Sequence, residues 1–238
     1  MKNMTGASDA LKRAAALEAA RLVRDGMVVG LGSGSTAELF LAILGERVAD
    51  GLGITGVPTS NRVGELARQH GIRVADLSDV PRIDLTVDGA DEIQPRALEL
   101  VKGGGGALLR EKLVAAASDQ VCIIVDSSKL VTRLGERWAV PVAVVPFGWR
   151  QTADRIRRLG CEPTLRRTGT GTNPFVSDDG LSILDCAFGP IDDPAALGSA
   201  LKGTLGVVEH GLFVGLAHRA IVAGEDGITV LEPGQVKA

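Results

Sequence analysis

Short apolar runs alternate with amphipathic stretches through the first half of the chain. Five apolar residues recur at the spacing of one helix face, namely Leu11, Ala15, Ala19, Leu22 and Val23. Further apolar runs predict strands at 27–31, 52–57, 73–76, 83–87 and 121–125, and helical patterns fall at 37–44, 61–70 and 108–117. This alternation is typical of a parallel sheet with helices on both faces. We therefore expect an α/β fold with a Rossmann-like parallel-sheet domain.

The pattern changes after Trp138, where prolines divide the chain into shorter pieces. Strands are predicted there at 140–145 and 182–186, and helices at 152–159 and 194–201. No glycine-rich binding turn follows these strands. We expect a smaller inserted α+β domain, ferredoxin-like, at 133–210, which could serve assembly. The first domain would comprise 1–132 and 211–238, with closing strands at 212–214, 220–222 and 228–231.

Composition narrows the classes of partner. The 238 residues are 45% apolar, which is ample for a sizeable core. A net charge of −3 and an aromatic content of 3% give neither the basic footprint nor the stacking groups of a nucleic-acid-binding protein. No apolar segment reaches the length of a membrane span. We therefore expect no nucleic-acid partner and no membrane.

The metal-ligating residue types are few and scattered. Cys122, Cys161 and Cys186 are odd in number and lack the spacing of a zinc site. The three histidines lie far apart in sequence. We expect three reduced thiols in a cytoplasmic protein, with no metal and no cofactor.

A glycine and hydroxyl loop follows the first predicted strand and precedes a helix. It contains Ser33, Gly34, Ser35 and Thr36. Free N–H groups and the positive end of the helix dipole make such a loop a natural site for a phosphate, although an ordinary tight turn would look the same. The glycines do not match the dinucleotide fingerprint, and Pro58 follows the second strand where that fingerprint requires an acidic residue. Nicotinamide binding is therefore disfavoured.

The stretch from 83 to 112 contains most of the residues that could carry out catalysis. Gly89 lets the chain bend after a buried strand, so Asp88 and Asp91 can converge at its carboxyl end. Lys102 then precedes Gly103, Gly104, Gly105 and Gly106, whose backbone N–H groups can approach an oxyanion closely. Glu111 lies in the first turn of the next helix. Each residue also has a structural interpretation as a turn cap, a dipole partner or a solvated charge, but their combination favours a site.

Four segments carry a resemblance to a known family. VDGADE at 87–92 and KGGGGALLREK at 102–112, with GLGSGSTAE at 30–38 and DSSK at 126–129, closely resemble the type A ribose-5-phosphate isomerases. The resemblance covers most of the chain from Leu11 onward. Two positions depart from the common pattern: Gly106 stands where alanine is frequent, and Leu109 where threonine is. Neither replaced side chain carries a proposed role.

The resemblance implies an activity and a set of roles. It implies interconversion of D-ribose 5-phosphate and D-ribulose 5-phosphate through an ene-diolate, without a metal. Glu111 would be the base, and Asp88 and Asp91 would assist ring opening and proton transfer. Lys102, with the backbone N–H groups of Gly103 to Gly105, would stabilise the ene-diolate. The implied substrate-binding residues are Ser33, Gly34, Ser35, Thr36, Asp88, Gly89, Ala90, Asp91, Lys102, Gly103, Gly104, Gly105 and Lys129. The resemblance also implies a homodimer or homotetramer. It further implies that the closing strands at 212–214, 220–222 and 228–231 rejoin the sheet of the first domain.

Other functions remain open at the level of sequence. The runner-up is another five- or six-carbon phosphosugar isomerase. Related folds also serve as sugar-phosphate deaminases and as sensor domains of repressors. The segment before Met27 has room for one amphipathic helix only, which disfavours a repressor. The arginines at 155–167 are expected to form a solvated face or an assembly contact.

Overall fold

The computed structural model describes residues 2–169 and 171–234. Its helices are α1 (Lys2–Ala20), α2 (Ser35–Ala49), α3 (Asn61–Gln69), α4 (Leu108–Ala116), α5 (Trp149–Arg157) and α6 (Pro194–Lys202). Its strands are β1 (Val28–Leu31), β2 (Thr55–Pro58), β3 (Arg73–Val74), β4 (Leu85–Asp88), β5 (Glu92–Gln94), β6 (Glu99–Val101), β7 (Val121–Asp126), β8 (Val140–Val144), β9 (Pro163–Leu165), β10 (Ser182–Cys186), β11 (Val207–His210), β12 (Leu212–Phe213), β13 (Arg219–Gly224) and β14 (Gly227–Leu231).

The main sheet has the strand order β14-β13-β7-β4-β1-β2-β3. Its neighbours pair in parallel except at one edge, where β13 and β14 form an antiparallel hairpin. Apolar side chains of α1 and α2 pack with those of β1, β4 and β7 into one core cluster, so the sheet is buried beneath these helices. The predicted α/β fold is confirmed. The hairpin at β14 is antiparallel because a connection this short cannot cross over the sheet.

The order of the main sheet creates a crevice beside β1. The chain runs from β1 to β2 and β3 on one side, then returns to place β4 on the other side of β1. The connections that leave β1 and β4 therefore diverge at their carboxyl ends, which is where ligands bind in open α/β sheets. Leu31 and Val87 are register partners, so the loops at 32–36 and 88–91 begin side by side.

The second sheet has the order β11-β8-β10-β9 and is antiparallel throughout. With α5 and α6 it forms the β-α-β-β-α-β sequence of ferredoxin-like folds, as predicted. It lies within the predicted range 133–210, although the domain bounds themselves stay a prediction, and those at Met1 and Ala238 lie outside the described residues. Strands β9 and β11 were missed because β9 is short and begins with a proline, and β11 has no clear alternation.

A third sheet corrects the expectation for the first closing strand. The run at 212–214 was expected to rejoin the main sheet, but β12 pairs with β6, which pairs in turn with β5. The β5–β6 hairpin was not predicted, because three-residue strands leave too little periodicity. The hairpin has a structural consequence: it returns the chain so that the Asp91 N–H donates to the Val101 carbonyl, one residue before Lys102. The closing strands β13 and β14 join the main sheet as expected.

The arginines at 155–167 do not share one role. Arg157 is exposed and pairs with Asp154 and Glu162, in agreement with a solvated face. Arg166 contradicts that expectation, because its side chain is largely buried between Asp185 and the carbonyl groups of the glycine turn at 103–106.

Within the described part of the chain, every helix is too short or too polar to cross a bilayer.

Candidate active site

One cleft of about 150 Å³ at the crevice collects the predicted site residues. It is lined by Lys12, Ser33, Gly34, Ser35, Thr36, Gly89, Ala90, Asp91, Lys102, Gly103, Gly104, Gly105, Glu111 and Lys129. Asp88 does not line it but lies against Lys102 just beneath. Lys12 was missed, because a lone lysine on an amphipathic helix looks like a solvated charge. A larger groove of about 680 Å³ lies elsewhere, between α3 and α4. Helix α4 borders both regions, with Glu111 at the cleft and Arg110 at the groove.

The Asp88 carboxylate is fixed by the two loops that leave the main sheet. Its Oδ1 accepts hydrogen bonds from the backbone N–H groups of Ser33 at 3.0 Å and Gly89 at 2.7 Å. Gly32 passes so close that a β-carbon there would overlap the carboxylate. Gly32 of the first loop therefore leaves the space that the Asp88 carboxylate of the second loop occupies, and the two loops pack as one unit.

Lys102 joins two carboxylates in the interior. Its Nζ lies 3.0 Å from Asp88 Oδ2 and 3.3 Å from Glu111 Oε1, and it donates to the Gly89 carbonyl at 2.7 Å. Burial alone would lower the pKa of this lysine, but the charges of Asp88 and Glu111 raise it above its usual value. The site therefore keeps a fixed ammonium group throughout the neutral range.

Glu111 has a carboxylate with one free oxygen. Oε1 lies beside Lys102, whereas Oε2 is buried and has no hydrogen-bond partner among the described residues. An unpartnered buried acceptor is unfavourable, and a catalytic role is one of the reasons for which a protein retains such a group. Burial, assisted by the charges of Asp88 and Asp91 and opposed by Lys102, raises the pKa of Glu111 to about 8. Burial also raises the pKa of Asp88, against the attraction of Lys102.

The helix that carries Glu111 is fixed by the residue that follows it. Lys112 Nζ donates to Glu209 Oε1 at 2.8 Å and to the carbonyl groups of His210 at 2.6 Å and Leu212 at 2.9 Å. These bonds tie the first turn of α4 to β11 and β12. The Lys112 contacts therefore fix the helix from which Glu111 reaches the cleft.

Asp91 holds the glycine turn in place. Its Oδ2 accepts from the Gly104 N–H at 2.7 Å, and a β-carbon on Gly104 would lie only 2.6 Å from Oδ1. Gly103 has a φ of +100°, a conformation that disfavours any side chain. The resemblance implied that the N–H groups of Gly103, Gly104 and Gly105 stabilise the ene-diolate together with Lys102. The Gly104 N–H is instead engaged by Asp91.

Lys129 stands at the cleft against an aromatic ring. Its Nζ lies 5.3 Å from the ring centre of Trp138. Trp138 is placed by Glu92, whose fully buried carboxylate accepts the N–H groups of Gly135 at 2.6 Å, Arg137 at 2.6 Å and Trp138 at 2.9 Å. Sequence reasoning singled out neither Trp138 nor Glu92, although the latter follows Asp91 directly in the motif.

Across residues 2–169 and 171–234, the His, Cys, Asp and Glu side chains form no group of three or more that could hold a metal ion. The thiols of Cys122, Cys161 and Cys186 are free and buried. The cation in the centre of the site is the Lys102 ammonium group.

The sequence of this chain matches the family model of ribose 5-phosphate isomerase A, also called phosphoriboisomerase A, over residues 55–227. The chain belongs to the ribose-5-phosphate isomerase A family. A ribose-5-phosphate isomerase A of Synechococcus sp. is 55% identical over 225 residues, which are 94% of this chain and 97% of that relative. The corresponding protein of Thermomicrobium roseum is 56% identical over 221 residues, 93% of each chain.

Solved structures of ribose-5-phosphate isomerases share the whole fold. The ribose 5-phosphate isomerase A of Methanocaldococcus jannaschii aligns with a TM-score of 0.91 at 38% identity, covering 94% of this chain and 99% of its own. A D-ribose-5-phosphate isomerase in complex with phospho-erythronic acid aligns with a TM-score of 0.92 at 37% identity, with the same coverage. The resemblance noted in the sequence motifs is thereby confirmed along nearly the full chain.

Proposed function

We propose that this chain interconverts D-ribose 5-phosphate and D-ribulose 5-phosphate, a step of the non-oxidative pentose phosphate pathway, through an ene-diolate. The observation that carries the proposal is Glu111 Oε2, a buried and unpartnered carboxylate oxygen at a cleft that also holds a fixed ammonium. Aldose–ketose conversion needs a base at C2, proton-transfer groups at O1 and O2, and donors for a developing oxyanion. The described residues offer candidates for each role.

Glu111 is the proposed base, which takes the proton from C2 and returns it to C1. A general base works best when its pKa lies near the working pH, and burial has moved Glu111 into that range. Lys102, bound to Oε1, leaves Oε2 as the oxygen that faces the substrate proton. The orientation of the carboxylate is therefore set before substrate binds.

Lys102 is the proposed electrostatic group. As the C2 proton leaves, negative charge develops on the sugar oxygens, and a fixed ammonium in a dry site stabilises it strongly. Asp88 and Asp91 are the proposed groups for ring opening and for proton transfer between O1 and O2. Asp91 lines the cleft directly, and Asp88 lies next to the cleft, with its Oδ2 3.0 Å from Lys102 Nζ.

The phosphate is proposed to bind at the amino end of α2. Gly34 precedes the helix with a φ of +92°, and no side chain of the described residues caps this end, so its first N–H groups are available to a ligand in the cleft that Gly34, Ser35 and Thr36 line. Ser35 and Thr36 add hydroxyl groups, and Lys12 and Lys129 add positive charge at the cleft wall. The Ser33 hydroxyl also lies at the cleft, but it is paired with Thr59 at 2.7 Å. Two ammonium groups and a helix terminus form a suitable site for a dianionic phosphate.

The remaining proposals concern the setting of the reaction. We propose a homodimer or homotetramer that works in the cytoplasm, with no metal or cofactor. The domain of 1–132 and 211–238 is proposed to be catalytic, because the cleft residues lie in it, and the domain of 133–210 to serve assembly.

The test is conversion of ribose 5-phosphate by the purified chain in the presence of EDTA, beside a panel of other sugar phosphates. We expect ribose 5-phosphate to be the best substrate and chelation to leave the rate unchanged. A loss of activity that added Mg²⁺ restores would overturn the metal-free scheme. No conversion by folded protein, or preference for another sugar phosphate, would overturn the proposed substrate.

A further inference from the structure

The glycine turn is held from outside by an arginine of the second sheet. Arg166 follows β9, and its Nη1 donates to the carbonyl groups of Gly103 at 2.8 Å and Gly104 at 3.0 Å. The guanidinium is itself fixed, because Nε donates to Asp185 Oδ2 at 3.0 Å and Nη2 pairs with Oδ1 of the same carboxylate. This two-pronged pairing gives the guanidinium one orientation.

Peptide planarity transmits that orientation across the turn. The carbonyl of Gly103 and the N–H of Gly104 belong to one trans peptide unit, so they point in opposite directions. Arg166 holds the carbonyl, and the N–H on the other side meets Asp91 at 2.7 Å. The next unit joins the carbonyl of Gly104 to the N–H of Gly105, which is consequently turned away from Arg166 as well.

Packing at the end of the turn supports the same geometry. The ring centre of Phe175 lies 5.9 Å from the guanidinium carbon of Arg166. A β-carbon on Gly106 would overlap that ring, and Gly106 has a φ of +86°. The turn is therefore packed against a surface made by Arg166 and Phe175, with its other side at the cleft.

We propose that Arg166, fixed by Asp185, is a positioning residue of the isomerase reaction, an inference that rests on the proposed function of the cleft. It holds two consecutive peptide planes so that the Gly104 N–H keeps Asp91 in place and the Gly105 N–H faces the ligand. The side chain touches no reacting atom. Its contribution is to the orientation of groups that contact the substrate, which strengthens interactions in the transition state.

The first variant is Arg166→Met, which keeps an unbranched apolar stem and removes the guanidinium donors. We expect kcat to fall about 10- to 100-fold, with KM changed less than about threefold, because misplaced donors affect the transition state more than binding. Arg166→Lys retains a donor for the carbonyl groups and should recover part of the loss. Asp185→Asn leaves those bonds in place and should show the smallest loss.

The matched control is Arg157→Met. Arg157 belongs to the same sheet-and-helix unit but is exposed and pairs with Asp154 and Glu162. We expect its kcat and KM to equal those of the wild type. An equal loss in Arg157→Met and Arg166→Met would mean a general disturbance of the second sheet, and it would overturn the positioning role.

Amide hydrogen exchange of the turn at 103–106 provides a readout that does not need turnover. We expect faster exchange in Arg166→Met than in the wild type and in Arg157→Met. Unchanged exchange, or a kcat within twofold of the wild type in Arg166→Met, would overturn the proposal. If the wild type failed to convert ribose 5-phosphate, the proposed function would fail, while the exchange result would still decide whether Arg166 positions the turn.

Discussion

Lys102 Nζ lies 3.3 Å from Glu111 Oε1, on the side of the carboxylate opposite to the oxygen that lacks a partner. The lysine therefore has two effects on one group. It holds the carboxylate in a fixed orientation, and it limits the rise in pKa that burial produces. A base that is buried, oriented and still able to ionise near neutral pH is what proton abstraction beside a carbonyl requires.

The pH dependence of the reaction follows from the pKa of Glu111. Burial raises it to about 8, so the active ionised form increases as pH rises through that value. We expect kcat/KM of the free enzyme to increase up to about pH 8 and then to level off, because Lys102 stays charged there. Measurement above pH 6.5 avoids interference from the second ionisation of the substrate phosphate, which occurs near pH 6. A profile that is flat from pH 6.5 to 9 would contradict this assignment.

The same carboxylate should lower stability at high pH. The folded chain keeps a proton on Glu111 up to about pH 8, whereas an unfolded glutamate loses it near pH 4.3, so stability falls as pH rises between these values. Glu111→Gln removes this effect. We expect the variant to gain about 4 kcal/mol of stability relative to the wild type between pH 5 and pH 8.5. Urea unfolding at both pH values measures it, and a pH-independent loss of stability would refute it.

Lys12 offers a test of the proposed phosphate site. Removing one charged contact to phosphate should weaken binding by about 1.5–3 kcal/mol, equivalent to a rise in KM of about 10- to 100-fold. We expect this rise for Lys12→Met, with a smaller change in kcat. Arg13→Met is the matched control, because Arg13 is the next residue of the same helix and is exposed. Equal KM values for the two variants would exclude Lys12 from the site.

Glu92 should matter for stability more than its place in the motif suggests. Its carboxylate accepts three backbone N–H groups of the loop that presents Trp138 to Lys129. Glu92→Gln places an amide donor where acceptors are needed, and we expect a loss of about 2–3 kcal/mol. Chemical unfolding measures the loss, and KM should rise as Lys129 loses its aromatic neighbour. A variant as stable as the wild type would show that the loop does not depend on this carboxylate.

The sequence predicted the parts of the site that depend on local chain geometry. Asp88 follows a buried strand, and Ser33 follows another, so both had to lie at one edge of the sheet once the strands were parallel. Glu111 in the first turn of α4 was likewise readable from spacing. These residues are placed by elements whose apolar patterns are long enough to recognise.

The missed parts depend on contacts between distant segments. The β5–β6 hairpin brings Lys102 back to Asp88, but its strands are too short to show a pattern. Lys12 and Arg166 reach the site from α1 and from the second sheet, and neither has a local signal that separates it from a surface charge. For Arg166 the sequence expectation of a solvated face was wrong, because only the fold brings Asp185 and the glycine carbonyl groups to it.

The most direct test of the account is the fate of the C2 hydrogen in Glu111→Gln. With ribose 5-phosphate deuterated at C2, the wild type should convert the sugar and remove the deuterium from C2, passing it to C1 or, where Glu111 exchanges with water, to solvent. The variant should bind a phosphorylated sugar acid with an affinity within about threefold of the wild type, yet both conversion and loss of deuterium from C2 should fall at least about 10²-fold. Conversion by the variant within tenfold of the wild type would show that another group abstracts the proton.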